Sequence, residues 1–124
     1  MEACIVKKNI YNELEVNGSL KGTKINVYGN TKVGGNLEVS ESSFKDIETS
    51  SWQCILTNSK AKNIFVKKTK DESQKIYLKG KTIIEGNIIF ESGNGEVIFS
   101  EDARVEGKVQ GASIVNAYDK IGGN

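Results

Sequence analysis

The chain predicts an all-β fold, a single-domain parallel β-solenoid of triangular cross-section with about 17 residues per turn. Three observations carry this. One phrase, aliphatic-x-Gly-x-aliphatic, occurs four times: Val16-Asn17-Gly18-Ser19-Leu20, Val33-Gly34-Gly35-Asn36-Leu37, Ile84-Glu85-Gly86-Asn87-Ile88 and Val105-Glu106-Gly107-Lys108-Val109. The first two copies start 17 residues apart, and the second and third 51 apart, three times that step. Stepping by 17 also keeps apolar residues in register where the phrase is lost: Leu20 to Leu37 to Cys54, Val39 to Leu56, Val27 to Phe44 to Ala61, and Ile47 to Ile64. Fixed apolar columns imply turns stacked one above another.

Each turn reads as short strands. Leu14-Glu15-Val16, Ile25-Asn26-Val27, Leu37-Glu38-Val39 and Val97-Ile98-Phe99 favour a strand period of two, and no segment carries a helical stripe of useful length. Glycines at 18, 22, 29, 35, 80, 86, 107 and 111 punctuate these runs and suit tight corners. Three strands and three corners fit one turn. Neighbouring turns then pair as parallel strands about 4.8 Å apart, and six turns make a rod about 30 Å long. An antiparallel sandwich is the competing architecture, but it has no reason to hold register through 51 residues.

Two places interrupt the register. Residues 67–75 contain no apolar side chain and read as a loop inserted in the stack. The last two phrases are 21 residues apart, and Gly93-Asn94-Gly95 in that interval marks a looped-out corner. A longer match, Val16-x-Gly18-x-Leu20-x-Gly22-x-x-Ile25 against Val105-x-Gly107-x-Val109-x-Gly111-x-x-Ile114, points the same way. The expected organisation is an N-terminal cap or extension over 1–13, a solenoid over 14–116, and a polar tail over 117–124.

Composition bounds function more by exclusion than by assignment. With 124 residues and a net charge of +1, the chain is one domain without a global field for nucleic acid or membrane. It has no apolar run long enough for a transmembrane helix and no signal-peptide pattern after Met1, although Met1 in place of a leader would imply a periplasmic or secreted protein. Proline is absent, as suits a body of laddered strands. Cys4 and Cys54 lie nearly three turns apart, so an intrachain disulfide requires the N-terminus to fold back. Histidine is also absent, which removes the commonest general base and metal ligand. No phosphate-cradling loop is present, and Glu101-Asp102 has no patterned partner. The expectation is a non-enzyme without cofactor or metal. A carboxylate-pair hydrolase is the third-ranked alternative.

Candidate contact features are few. Residues 60–81 hold eight lysines against two acids, and residues 82–106 hold six acids against Arg104. A basic belt therefore lies beside an acidic one. It either solubilises the rod, with the two belts pairing across turns, or contacts a protein, glycan or anionic surface. Nucleic acid is disfavoured, because arginine is nearly absent. Trp52 falls in the column of Gly18 and Gly35 and is a candidate contact residue with Lys67, Lys68, Lys70 and Lys75. The threonines form no column that would mark an ice-binding face. The segments around Ile5–Tyr11 and Ile114–Tyr118 depart from the repeat and cap the rod, or else leave its end turns open to self-association.

The run from Glu96 to Gly111, with Ala103-Arg104-Val105-Glu106-Gly107-Lys108-Val109, resembles the repeated Ala-x-Val-x-Gly-x-Ile phrase of bactofilins. The resemblance covers about residues 14–47 and 80–114 and departs over 50–79. Bactofilins are bacterial polymer-forming proteins with a right-handed triangular β-helix. The resemblance implies a right-handed coil, a cytoplasmic structural role, and neither nucleotide nor cofactor. The leading expectation is a self-assembling scaffold of bacterial type. The alternative is an exported adhesin or envelope binding module using a lateral face around Trp52 and the lysine belt.

Overall fold

The computed structural model describes residues 3–7, 10–50, 53–69, 74–100 and 102–116, with side chains from residue 10 to 115 within these ranges. Among the described residues there is no helix, and every pairing between strands is parallel. The first coil runs through β1 (Ala3–Lys7), β2 (Ile10–Tyr11) and β3 (Leu14–Val16), and the second through β4 (Ser19–Thr23), β5 (Asn26–Val27) and β6 (Thr31–Val33). The third runs through β7 (Leu37–Ser40), a single bridge at Ser43, and β8 (Asp46–Thr49). The fourth comprises β9 (Gln53–Thr57), β10 (Lys60–Ala61) and β11 (Asn63–Val66). The fifth comprises β12 (Lys75–Lys79), β13 (Ile83–Ile84) and β14 (Ile88–Phe90). The sixth comprises β15 (Gly95–Phe99), β16 (Arg104–Val105) and β17 (Val109–Gln110), and β18 (Ala112–Asn116) opens a seventh.

These strands stack into three sheets, one per side of the coil. Sheet A is β1-β4-β7-β9-β12-β15-β18. Sheet C is β3-β6-β8-β11-β14-β17. Sheet B joins β2-β5 to β10-β13-β16 through the bridges Asn26–Ser43 and Ser43–Lys60. The triangular parallel solenoid is therefore the fold. The strands 3–7 and 10–11, in the expected N-terminal cap or extension, stack on sheets A and B like their successors.

The core is made of the apolar columns. Leu20, Leu37, Cys54, Ile76 and Val97 follow one another on sheet A, each no more than 1% exposed. Val39, Leu56 and Leu78 run beside them. Val27, Phe44, Ala61 and Ile84 fill from the B side, and Ile47, Ile64 and Ile88 from the C side. Cys4 and Cys54 share a column with Leu20 and Leu37 between them. Three strand spacings, about 14 Å, exceed the reach of a disulfide.

The period holds at 17 from Leu20 to Leu37 to Cys54, lengthens to 22 at Ile76 and 21 at Val97, and returns to 17 at Ile114. The lengthening sits in the links. The first lengthening falls between β11 and β12, where Lys67 N–H still donates to the Thr49 carbonyl of the preceding coil and the buried Gln74 donates from Nε2 to the Lys67 carbonyl, each at 2.8 Å. Between β14 and β15, Glu91 to Asn94 form a turn in which Gly93 has φ of +83°.

These insertions correct one part of the sequence reading. Val16 and Val33 pair on sheet C, whereas Ile84 and Val105 pair on sheet B. The four phrases thus mark two different corners, and the 51-residue step between the second and third is fortuitous. The phrase recurs because both corners need the same thing, a strand end, a residue without Cβ, and a new strand. A Cβ on Gly107 would meet the Gly86 carbonyl, and one on Gly86 would meet the Lys62 carbonyl and the Asn63 side chain. Here glycine serves close approach between coils, not a positive φ.

The A-to-B corner uses other residues. Lys24, Glu41 and Asn58 have φ of +56°, +50° and +48°, and Gly80 follows at +64°. The residue after this left-handed position in coils three and four is a buried serine, Ser42 or Ser59, and in coil five the buried Thr82 lies two residues on. The Ile25 N–H donates to Ser42 Oγ at 3.0 Å, Ser42 N–H to Ser59 Oγ at 3.1 Å, and Ser59 N–H to Thr82 Oγ1 at 3.2 Å. Each serine hydroxyl donates in turn to a carbonyl of its own coil, at 2.8 Å. A corner removes backbone groups from the ladder, and this hydroxyl column satisfies them.

The B-to-C corner carries an amide column. Asn63 Nδ2 donates to Asp46 Oδ1 at 3.0 Å, while Asn63 Oδ1 accepts from Asn87 N–H and Asn87 Oδ1 from Lys108 N–H, each at 2.8 Å.

Candidate interaction surfaces

A solenoid offers two kinds of surface, its ends and its sides. At the C-terminal end, Ile114 stands over Val97 and continues the core column of sheet A, yet it is 57% exposed. Among the described residues no strand stacks beyond β18. Val105 and Val109, which continue the columns of sheets B and C, are likewise only half-buried. Among the described residues the edge of β18 is thus without a strand partner and lies beside partly exposed aliphatic side chains, the arrangement that recruits a further strand. At the other end, β1 pairs only with β4 among the described residues, and Ile10 is 68% exposed.

On the sides, the lysine belt is placed in part. Lys67 and Lys68 lie at the start of the link after β11, and Lys75 opens β12. Trp52 and Lys70 lie outside the described residues. Lys75 Nζ is 3.9 Å from Glu96, its register partner in the next coil, and Lys60 Nζ is 3.1 Å from Glu85. Lys67 Nζ lies 3.8 Å from Glu48 of the preceding coil, and Lys68 uses its backbone N–H to reach Glu91 Oε1 at 2.8 Å. The basic and acidic belts therefore face each other across adjacent coils. All three ion pairs are open to solvent, which limits each to about 1 kcal/mol or less.

The outward side chains show an axial division that the sequence reading missed. On sheet A the outward column reads Lys21, Glu38, Ile55, Tyr77, Ile98, Val115. On sheet C it reads Glu15, Lys32, Glu48, Phe65, Ile89, Gln110. The second and third coils carry charged residues at this position on both sheets. From the fourth coil on sheet A, and in the fourth and fifth coils on sheet C, the outward side chains are apolar as well as the inward ones, and all of them are half-buried. The signal was present in unbroken apolar runs, Cys54-Ile55-Leu56, Ile76-Tyr77-Leu78 and Val97-Ile98-Phe99, which serve two faces at once.

An open groove of about 390 Å³ runs along sheet C in the first three coils, lined by Glu13, Glu15, Lys32, Asp46 and Glu48 among others. No group of three or more potential metal ligands occurs among the described residues. Among the described residues no helix is long and apolar enough to cross a membrane.

The fold defines the class of protein, a parallel β-solenoid. No family model, curated protein or solved structure matches the chain.

Proposed function

We propose that this chain is a non-enzymatic structural β-solenoid of bacterial, bactofilin-like type that assembles end to end through its terminal rungs. The observation that carries the reading is Ile114. It occupies a core column, but more than half its surface is uncovered at a strand edge with no neighbour among the described residues. Stacking another rung there covers Ile114, Val105 and Val109 and extends the backbone ladder. A contact between unlike ends does not close on itself, so it grows into a filament. The alternative, an exported binding module using the lysine belt, draws less support, because Lys60, Lys67 and Lys75 already face carboxylates of neighbouring coils.

The test is sedimentation across concentration, comparing the wild type with Ile114→Lys. Position 114 is exposed, so the substitution leaves the fold intact. The wild type is expected to gain mass with concentration and the variant to remain at the monomer mass. A wild type that stays monomeric, or a variant that assembles equally well, contradicts the reading.

A further inference from the structure

The apolar column on the outside of sheet A has a shape and charge pattern that matches itself. We propose that a second copy of this chain packs laterally on it, face to face and antiparallel, about a two-fold axis that runs along the strands between the fifth and sixth coils. The contact differs from the end-to-end one and does not depend on it.

The argument is one of register. Ile55, Tyr77, Ile98 and Val115 occupy the same outward position on four successive strands, and each is half-buried. Two residues earlier on these strands stand Gln53, Lys75, Glu96 and Ser113. The proposed axis reverses the order of coils and keeps position along the strand. It sets Tyr77 opposite Ile98 of the second copy, and Ile55 opposite Val115. By the same operation Lys75 faces the second copy's Glu96, and Glu96 its Lys75. Gln53 meets Ser113, so no like charges oppose one another. The apolar stretch ends with the overlap of the described strands, because the next outward residue, Glu38, falls beyond β18 of the other copy.

The parallel arrangement is worse on the same evidence. A two-fold axis along the rod keeps the coil and reverses position along the strand, which sets Lys75 against Lys79 of the other copy, both outward on β12. Like charges in apposition select against that pairing. The patch is small. Four strands about 4.8 Å apart and five residues of about 3.3 Å each span about 19 by 16 Å, the range of weak, reversible contacts.

Charge exchange between copies tests this. Lys75→Glu and Glu96→Lys each place two like-charge pairs across the proposed axis and weaken lateral dimers by about tenfold or more. Mixed in equal amounts, the two variants restore opposite charges at both positions. The intramolecular Lys75–Glu96 pair is lost equally in the separate and mixed samples, so it cancels. Sedimentation in an Ile114→Lys background removes end-to-end growth. The expected result is a dimer for the background protein at high concentration, monomers for each charge variant alone, and dimers again on mixing. A background protein that stays monomeric, charge variants that dimerise alone, or a mixture that fails to recover each overturns the proposal.

Discussion

The backbone N–H of Ser42 donates to the hydroxyl of Ser59, 17 residues later and directly above it in the stack. The left-handed residues before them, Glu41 and Asn58, turn the chain off sheet A, and the two hydroxyls satisfy the amides which that turn removes from the ladder. Ser59→Ala leaves the buried Ser42 N–H without its acceptor and is expected to cost about 1–3 kcal/mol in urea unfolding. Ser59→Thr keeps the oxygen and is expected to be close to neutral, since threonine fills the same role at position 82.

The left-handed corner itself gives a second prediction. Glu41 stands in the column of Gly80 with φ of +50°. A β-branched residue is strained there, so Glu41→Val is expected to lower stability by about 1–2 kcal/mol. Glu41→Gly relieves the strain but adds freedom to the unfolded chain, and its expected effect lies between zero and a gain of about 1 kcal/mol. Paired thermal melts check both signs.

Core columns predict a larger loss. Leu37 is 1% exposed between Leu20 and Cys54. Leu37→Ala opens a cavity shared by three coils and is expected to cost about 2–5 kcal/mol. By contrast, a double-mutant cycle on the exposed Lys60–Glu85 pair is expected to return a coupling below about 1 kcal/mol, shrinking with added salt.

The cysteines give a prediction about redox state. With Leu20 and Leu37 between them in the column, Cys4 and Cys54 do not form an intrachain bridge. The monomer is expected to migrate identically with and without reductant, and intact mass after alkylation of the denatured, non-reduced monomer to show no internal crosslink.

Much of the fold was legible because burial repeats wherever coils are equal in length. The 17-residue step carried Leu20 to Cys54, Val27 to Ala61 and Ile47 to Ile64 correctly, and each of these columns is in the core. It misplaced Ile84 because the 22-residue interval from Cys54 to Ile76 shifts every later phase, and the Gly phrase suits two corners alike. The A-to-B corner escaped notice because glycine takes only one of its four left-handed positions; lysine, glutamate and asparagine take the rest. The serine column could have been found, since Ser42 and Ser59 are spaced by one turn, but serine in a glycine-rich chain reads as loop. Periodicity alone left open whether the end rungs are capped or free to associate, because it does not show whether a last rung is covered.

End-to-end growth is tested most directly by small-angle scattering of the Lys75→Glu protein, in which lateral pairing is opposed, across a concentration series. The account predicts a constant cross-section and a maximum dimension that lengthens in steps of about 34 Å, the seven sheet A strands of one added copy at a time. A maximum dimension that stays at a single rod length at every concentration contradicts it.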